Sequence, residues 1–342
     1  MPSSLVQLTL TRIRLFFREP SAVFWTFIFP LLLTVALGIA FRNRPAEPVA
    51  AAVEVGPGAE EIAATLARDG QFKVRLLAAP EAKAALRTGK AALVVAAGPP
   101  RTYTYDPTRP ESRLARALVD DALQRAAGRS DPVAVQETRV VERGSRYIDF
   151  LVPGLIGLNI MSSGMWGVAY VIVETRQKKL LKRLVATPMR RGEFLLSFVF
   201  LRMLFLALEL PVLLGFAWLT FHVAVRGSVA LVVALASVGA LAFSGLGLLV
   251  ASRATNTQTA AGLINLVMLP MFILSGVFFS AANFPDAMQP VIRALPLTAL
   301  NDALRAVMNE GAGAAAVAPQ AALLAGLGAL TFGVALRTFR WS

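Results

Sequence analysis

The chain has 342 residues, 56% of them hydrophobic and 16% charged, with a net charge of +13, no cysteine and one histidine. Soluble globular domains carry about 25% charged residues, so this composition excludes an ordinary water-soluble enzyme and predicts an α-helical polytopic membrane protein. The missing cysteines exclude disulfides, thiolate zinc sites and cysteine nucleophiles, and with His222 as the single histidine the usual His-rich metal sites and Ser-His relays have almost nothing to draw on.

Residues 1–20 place Leu5, Leu8, Leu15 and Phe16 at near-helical spacing among Arg12, Arg14 and Arg18. This is the pattern of an amphipathic helix in the membrane interface, stopped by Pro20. Residues 21–41 carry no charge and suffice for a first span of the roughly 30 Å hydrocarbon core. The run exceeds a signal-peptide core, and Phe41-Arg42-Asn43 offers no small-x-small cleavage site, so it reads as a retained span.

Residues 42–145 are the one stretch of soluble character. Strands are expected from Val49 and at 72–77, 92–96 and 102–105, with helices at 59–69, 80–89 and 112–127. Alternating strands and helices imply a compact extracytoplasmic α/β lobe. Glu60-Glu61 and Asp120-Asp121 read as solvated helix faces rather than metal ligands, and no catalytic constellation is present.

Residues 146–342 hold five further spans, for six in all. Apolar runs cover 150–173, 194–221, 227–252 and 311–336, while the run at 254–285 is too long for one upright helix. Candidates for a translocation path or the bundle interior are Asn159, Ser162, Ser163, Trp166, Glu209 and Asn265. The glycines at 154, 157, 164 and 167 allow close helix approach; the neighbouring amide and hydroxyls either join that packing or line a path. An ionisable group inside a span costs about 2.5–3.5 kcal/mol. Arg202 is near enough to the inner end to snorkel, whereas Glu209 lies midway along its span. Seven residues make two turns, roughly 10 Å, so a direct Arg202–Glu209 pair is not expected. Three readings of Glu209 stay open: a protonated structural group, a bond across a dimer interface, or a contact to a cationic substrate.

Charge placement gives the orientation. The segments before the first span, between the second and third, between the fourth and fifth, and after the sixth hold thirteen basic and three acidic residues. Residues 42–143 hold sixteen basic and thirteen acidic ones. Basic flanks mark the cytoplasmic face, so both termini are expected there, in the inner or plasma membrane. The excess of positive charge then needs no nucleic acid to explain it.

The loop after the second span runs from Glu174 to Glu193. Leu180, Leu181, Leu184 and Val185 form the stripe of a short amphipathic helix between basic shoulders, and Pro188 ends it at Thr187. A striped helix of this kind suits a groove on a partner protein; the plainer alternative is a basic loop on anionic lipid. Here the chain resembles the membrane (permease) subunits of type-2 ABC exporters. The matching residues are Glu174, Lys179 to Ala186 (with Leu180, Leu181, Arg183 and Leu184), Thr187-Pro188 and Arg190-Arg191. A second match is Leu274-Ser-Gly-Val-Phe-Phe, Phe284-Pro and 295–305.

The resemblance implies a coupling helix at 174–190, an outer helical hairpin at 280–310, and dimerisation with a second permease copy or paralogue. It also implies docking on an ABC ATPase subunit. No G-x-x-x-x-G-K-[ST] loop is present, so this chain is expected to bind no cofactor, with ATP and magnesium held by a separate partner chain. The expected function is an export permease for a drug, lipid or other amphiphile, with the bilayer and a periplasmic adaptor as further partners. The alternatives are a secondary transporter, which would show internal repeats, a membrane-embedded enzyme, which would need a nucleophile-base pair or metal ligands, and a membrane-bound sensor.

Overall fold

The computed structural model describes residues 4–40, 48–98, 100–130, 136, 146–180 and 191–339. Two compact units are formed, one from residues 44–140 and one from the rest.

In the first unit, strands β1 (Val49–Glu54), β2 (Phe72–Leu77), β3 (Leu93–Ala96) and β4 (Thr102–Thr104) form one sheet in the order β2-β1-β3-β4. β1 runs parallel to both β2 and β3, and β4 is antiparallel to β3. Using α1 and α2 for the helices before residue 41, the lobe helices are α3 (Ala59–Arg68), α4 (Ala79–Arg87) and α5 (Pro110–Ala126). Ile62 and Leu66 of α3 join Val119 and Leu123 of α5 over Val53, Phe72 and Leu93. Ala82 and Ala85 of α4 cover Ala52 and Val94 on the opposite face. Period-two alternation in the strands makes both faces possible. Asp120 accepts from Tyr103 at 3.1 Å and Asp121 from Arg125 at 2.9 Å, so this acidic pair is engaged in ordinary surface contacts.

In the second unit, α1 (Ser4–Phe17) precedes α2, a helical run built from Pro20–Val23, a π turn at Phe24–Ile28, and Phe29–Ala40. Among the described residues, five helices are long and apolar enough to cross a membrane. They are α6 (Tyr147–Gln177), α7 (Arg191–Phe221), α8 (Val229–Arg253), α9 (Thr257–Leu274) and α12 (Ala314–Thr338). Between α9 and α12 lie two 3-10 turns, then α10 (Gln289–Ala294) and α11 (Pro296–Glu310). The apolar helix in α2, Phe24–Ala40, is shorter than these five.

α6 is the central element, buried on almost every side from Ile148 to Val173. A helix apolar all round belongs in such a position. Small residues set its contacts: a Cβ at Gly164 would come within 2.8 Å of the Phe243 Cβ on α8, and one at Gly247 within 2.7 Å of the Gly164 carbonyl. Hydrocarbon offers no hydrophobic drive for helices to associate, so close backbone approach holds α6 and α8 together. α11 buries Leu297, Leu300, Leu304 and Val307 and ends at Gly311 with φ of 73°. α1 meets the bundle through Phe16, whose ring centroid lies 4.2 Å from that of Phe205 on α7.

Candidate functional site

The C-terminal end of α6 carries the start of the predicted coupling segment. Glu174 accepts from Lys178 at 2.7 Å, one helical turn on, and this hydrogen bond holds the ammonium above its ordinary pKa. Glu174 thus lies in the last turn of α6, and the segment after the span departs only beyond Lys178. Lys179 has φ of 57°, a left-handed conformation that stops the helix. Leu180 follows it, 41% exposed. Leu181, Arg183, Leu184, Thr187 and Pro188 lie outside the described residues.

Arg176, in the same turn of α6, reaches sideways. Its Nη1 donates to the carbonyls of Ala251 at 2.9 Å and Ala254 at 2.8 Å, at the end of α8. The guanidinium also sits 5.1 Å from the ring centroid of Phe339, just past α12. Thr338 and Ser252 join the same two helix ends at 3.1 Å.

Further along α6, Asn159 is buried, while Ser162, Ser163 and Trp166 are half-buried. Ser163 donates to the Asn159 carbonyl at 2.8 Å, and the Trp166 ring packs 5.8 Å from that of Tyr170. Trp166 opens a π turn that runs to Tyr170, a feature that often marks functional positions. Asn265 is exposed on α9, the neighbouring helix. The structure therefore gathers four predicted residues along α6, leaves Asn265 on an outward face, and puts Glu209 elsewhere.

Glu209 corrects an expectation. Its Oε2 lies 2.9 Å from Nη1 of Arg202, with both side chains 3% exposed. Residues seven apart differ in bearing by only roughly 20°, and Glu209 leans back toward the helix N-terminus, so an extended arginine closes the two-turn gap. Among the described residues, Nε and Nη2 of Arg202 and Oε1 of Glu209 have no hydrogen-bond partner.

The N-terminal end of α6 is tied by Arg146, Asp149 and Asn309, which the sequence did not single out, and by Arg305, the last residue of the 295–305 match. Arg146 pairs with Asp149 at 2.8 Å and donates to the Phe221 carbonyl, at the end of α7, at 3.0 Å. The hydrogen bond to Asp149 raises the Arg146 pKa. Arg305 of α11 stacks 3.7 Å from the Phe150 ring centroid and donates to the Phe150 carbonyl at 3.2 Å and to that of Gly276. Burial lowers its pKa to about 10, which leaves it charged at neutral pH. Asn309 donates to the Asp149 carbonyl and Tyr147 to that of Phe278. The one available signal was Pro153, whose missing N–H frees a carbonyl four residues back.

Among the described residues no three His, Asp or Glu side chains gather as a metal site. The sequence model of the ABC-2 family transporter proteins matches residues 20–337. The chain belongs to the ABC-2 transporter family. This ABC-2 chain is also 29% identical over 206 residues to ABC transporter G family member 20 of Dictyostelium discoideum. The match covers 59% of this chain and 28% of that relative, so the chain spans well under half of its length. Family membership makes the ABC-2 chain a transport membrane domain rather than the ATPase.

Proposed function

We propose that this chain forms the translocating part of an ATP-driven exporter, working as a dimer and docked on an ABC ATPase through the stretch after α6. The reading takes α2 as a sixth span, with both termini and the 174–190 segment cytoplasmic. The observation that supports it best is the reach of α6: the most enclosed helix of the bundle continues through Glu174 to Gln177, and the basic, leucine-bearing segment follows it directly in sequence. A push on that segment would reach the bundle centre directly. The half-buried face of α6 and the outward Asn265 supply amides and hydroxyls among apolar walls, which fits an amphiphilic cargo such as a drug or lipid.

The test replaces Leu181 and Leu184 together by aspartate. The variant is expected to insert normally but to lose co-purification with its ATPase and ATP-driven export. Attachment and export both intact would sink the reading. A secondary transporter is disfavoured by the absence of repeated halves in the sequence.

A further inference from the structure

We infer that Arg176 is the positioning residue that fastens the inner end of the second span to those of the fourth and sixth, so that α6, α8 and α12 answer a displacement of the 174–190 segment together. The inference rests on the proposed coupling role of that segment and adds the part that passes motion on.

Three observations carry it. The Ala251 and Ala254 carbonyls are at the C-terminal end of α8, where helix acceptors lack in-helix donors and the dipole is negative. A guanidinium donating to both meets each requirement at once, at 2.9 and 2.8 Å. The same cation faces the buried Phe339 ring, so one side chain of α6 contacts the ends of two other helices. Its position in sequence gives this contact its consequence: Arg176 stands one turn before the exposed Leu180, the first leucine of the segment's stripe. Lysine at this position would be a point charge on a flexible stem, able to satisfy one carbonyl but not to span two in a fixed plane.

The natural absence of cysteine allows paired labelling of the full chain in lipid nanodiscs. Nitroxides at Gln177→Cys and Arg253→Cys, both exposed positions, report the inner clamp; a second pair at Ala224→Cys and Glu310→Cys reports the outer end. Dipolar EPR is expected to give a narrow inner distance in the native background. In Arg176→Ala the inner distribution should broaden at least threefold, in Arg176→Lys by less, and the outer pair should keep its width. An inner pair unaffected by Arg176→Ala, or equal broadening of both pairs, would overturn the assignment.

These distances are read without the ATPase, so they do not depend on its attachment. With the ATPase bound, a fluorophore at Arg337→Cys is expected to respond to ATP in the native background and to lose most of that response in Arg176→Ala while attachment persists. An unchanged response in the variant overturns the transmitting role. No response in the native background would overturn the coupling reading, and this role with it, whatever the EPR pairs show.

Discussion

Nδ2 of Asn309 donates to the backbone carbonyl of Asp149 at 2.8 Å, the carbonyl whose in-helix donor Pro153 removes. A defect in one helix is thus completed by a side chain of another, and α11 is held to α6 by a bond that exists because of a proline.

Asn309→Ala should lower stability by about 1–3 kcal/mol, the cost of depriving a buried acceptor of its partner. Pro153→Ala returns an N–H to α6, so the double variant should recover most of the loss. Thermal unfolding of the four combinations in detergent measures this; equal losses in the single and double variants would dissociate the two residues.

The Arg202–Glu209 pair predicts a different pattern. Removing either partner leaves an uncompensated charge and should cost about 3–5 kcal/mol, whereas replacing both with apolar residues of similar size should be near neutral or stabilising. Membrane yield and melting of Arg202→Met, Glu209→Leu and the double variant form the cycle. A double variant as poor as the worse single one would show that the charges serve something beyond each other.

Lys179 adopts a left-handed conformation that costs a non-glycine residue about 1–2 kcal/mol. Lys179→Gly should relieve that cost, while Lys179→Val should add to it through β-branching. Hydrogen exchange at residues 176–180 is expected to slow in the glycine variant and quicken in the valine variant.

Orientation can be read with single cysteines introduced at Gln177 and at Glu60, both exposed. A membrane-impermeant maleimide should label Glu60→Cys in intact cells and Gln177→Cys only after the membrane is opened. The reverse pattern would invert the proposed topology.

Apolar length and period located the five long helices and the strands of the lobe, because burial of whole faces leaves a repeating trace. The ties at the two ends of α6 left little. Arg176, Arg305 and Asn309 all bond to backbone carbonyls, and a carbonyl looks the same at every position of a sequence. Pro153 alone pointed to one such acceptor. The Arg202–Glu209 distance was misjudged because axial separation was weighed without the shared bearing of the two side chains.

The π turn at Trp166–Tyr170 accommodates one residue more than an α-helical path would need. Deleting Gly167, which has open space where a Cβ would sit, would let the chain regain regular winding with the two halves of α6 still facing as they do now. Rewinding the same stretch with every residue kept would instead swing all that follows by roughly 100° and advance it about 1.5 Å. One surplus residue within α6 therefore sets the compass heading of the helix's final turns, Glu174 and Arg176 among them.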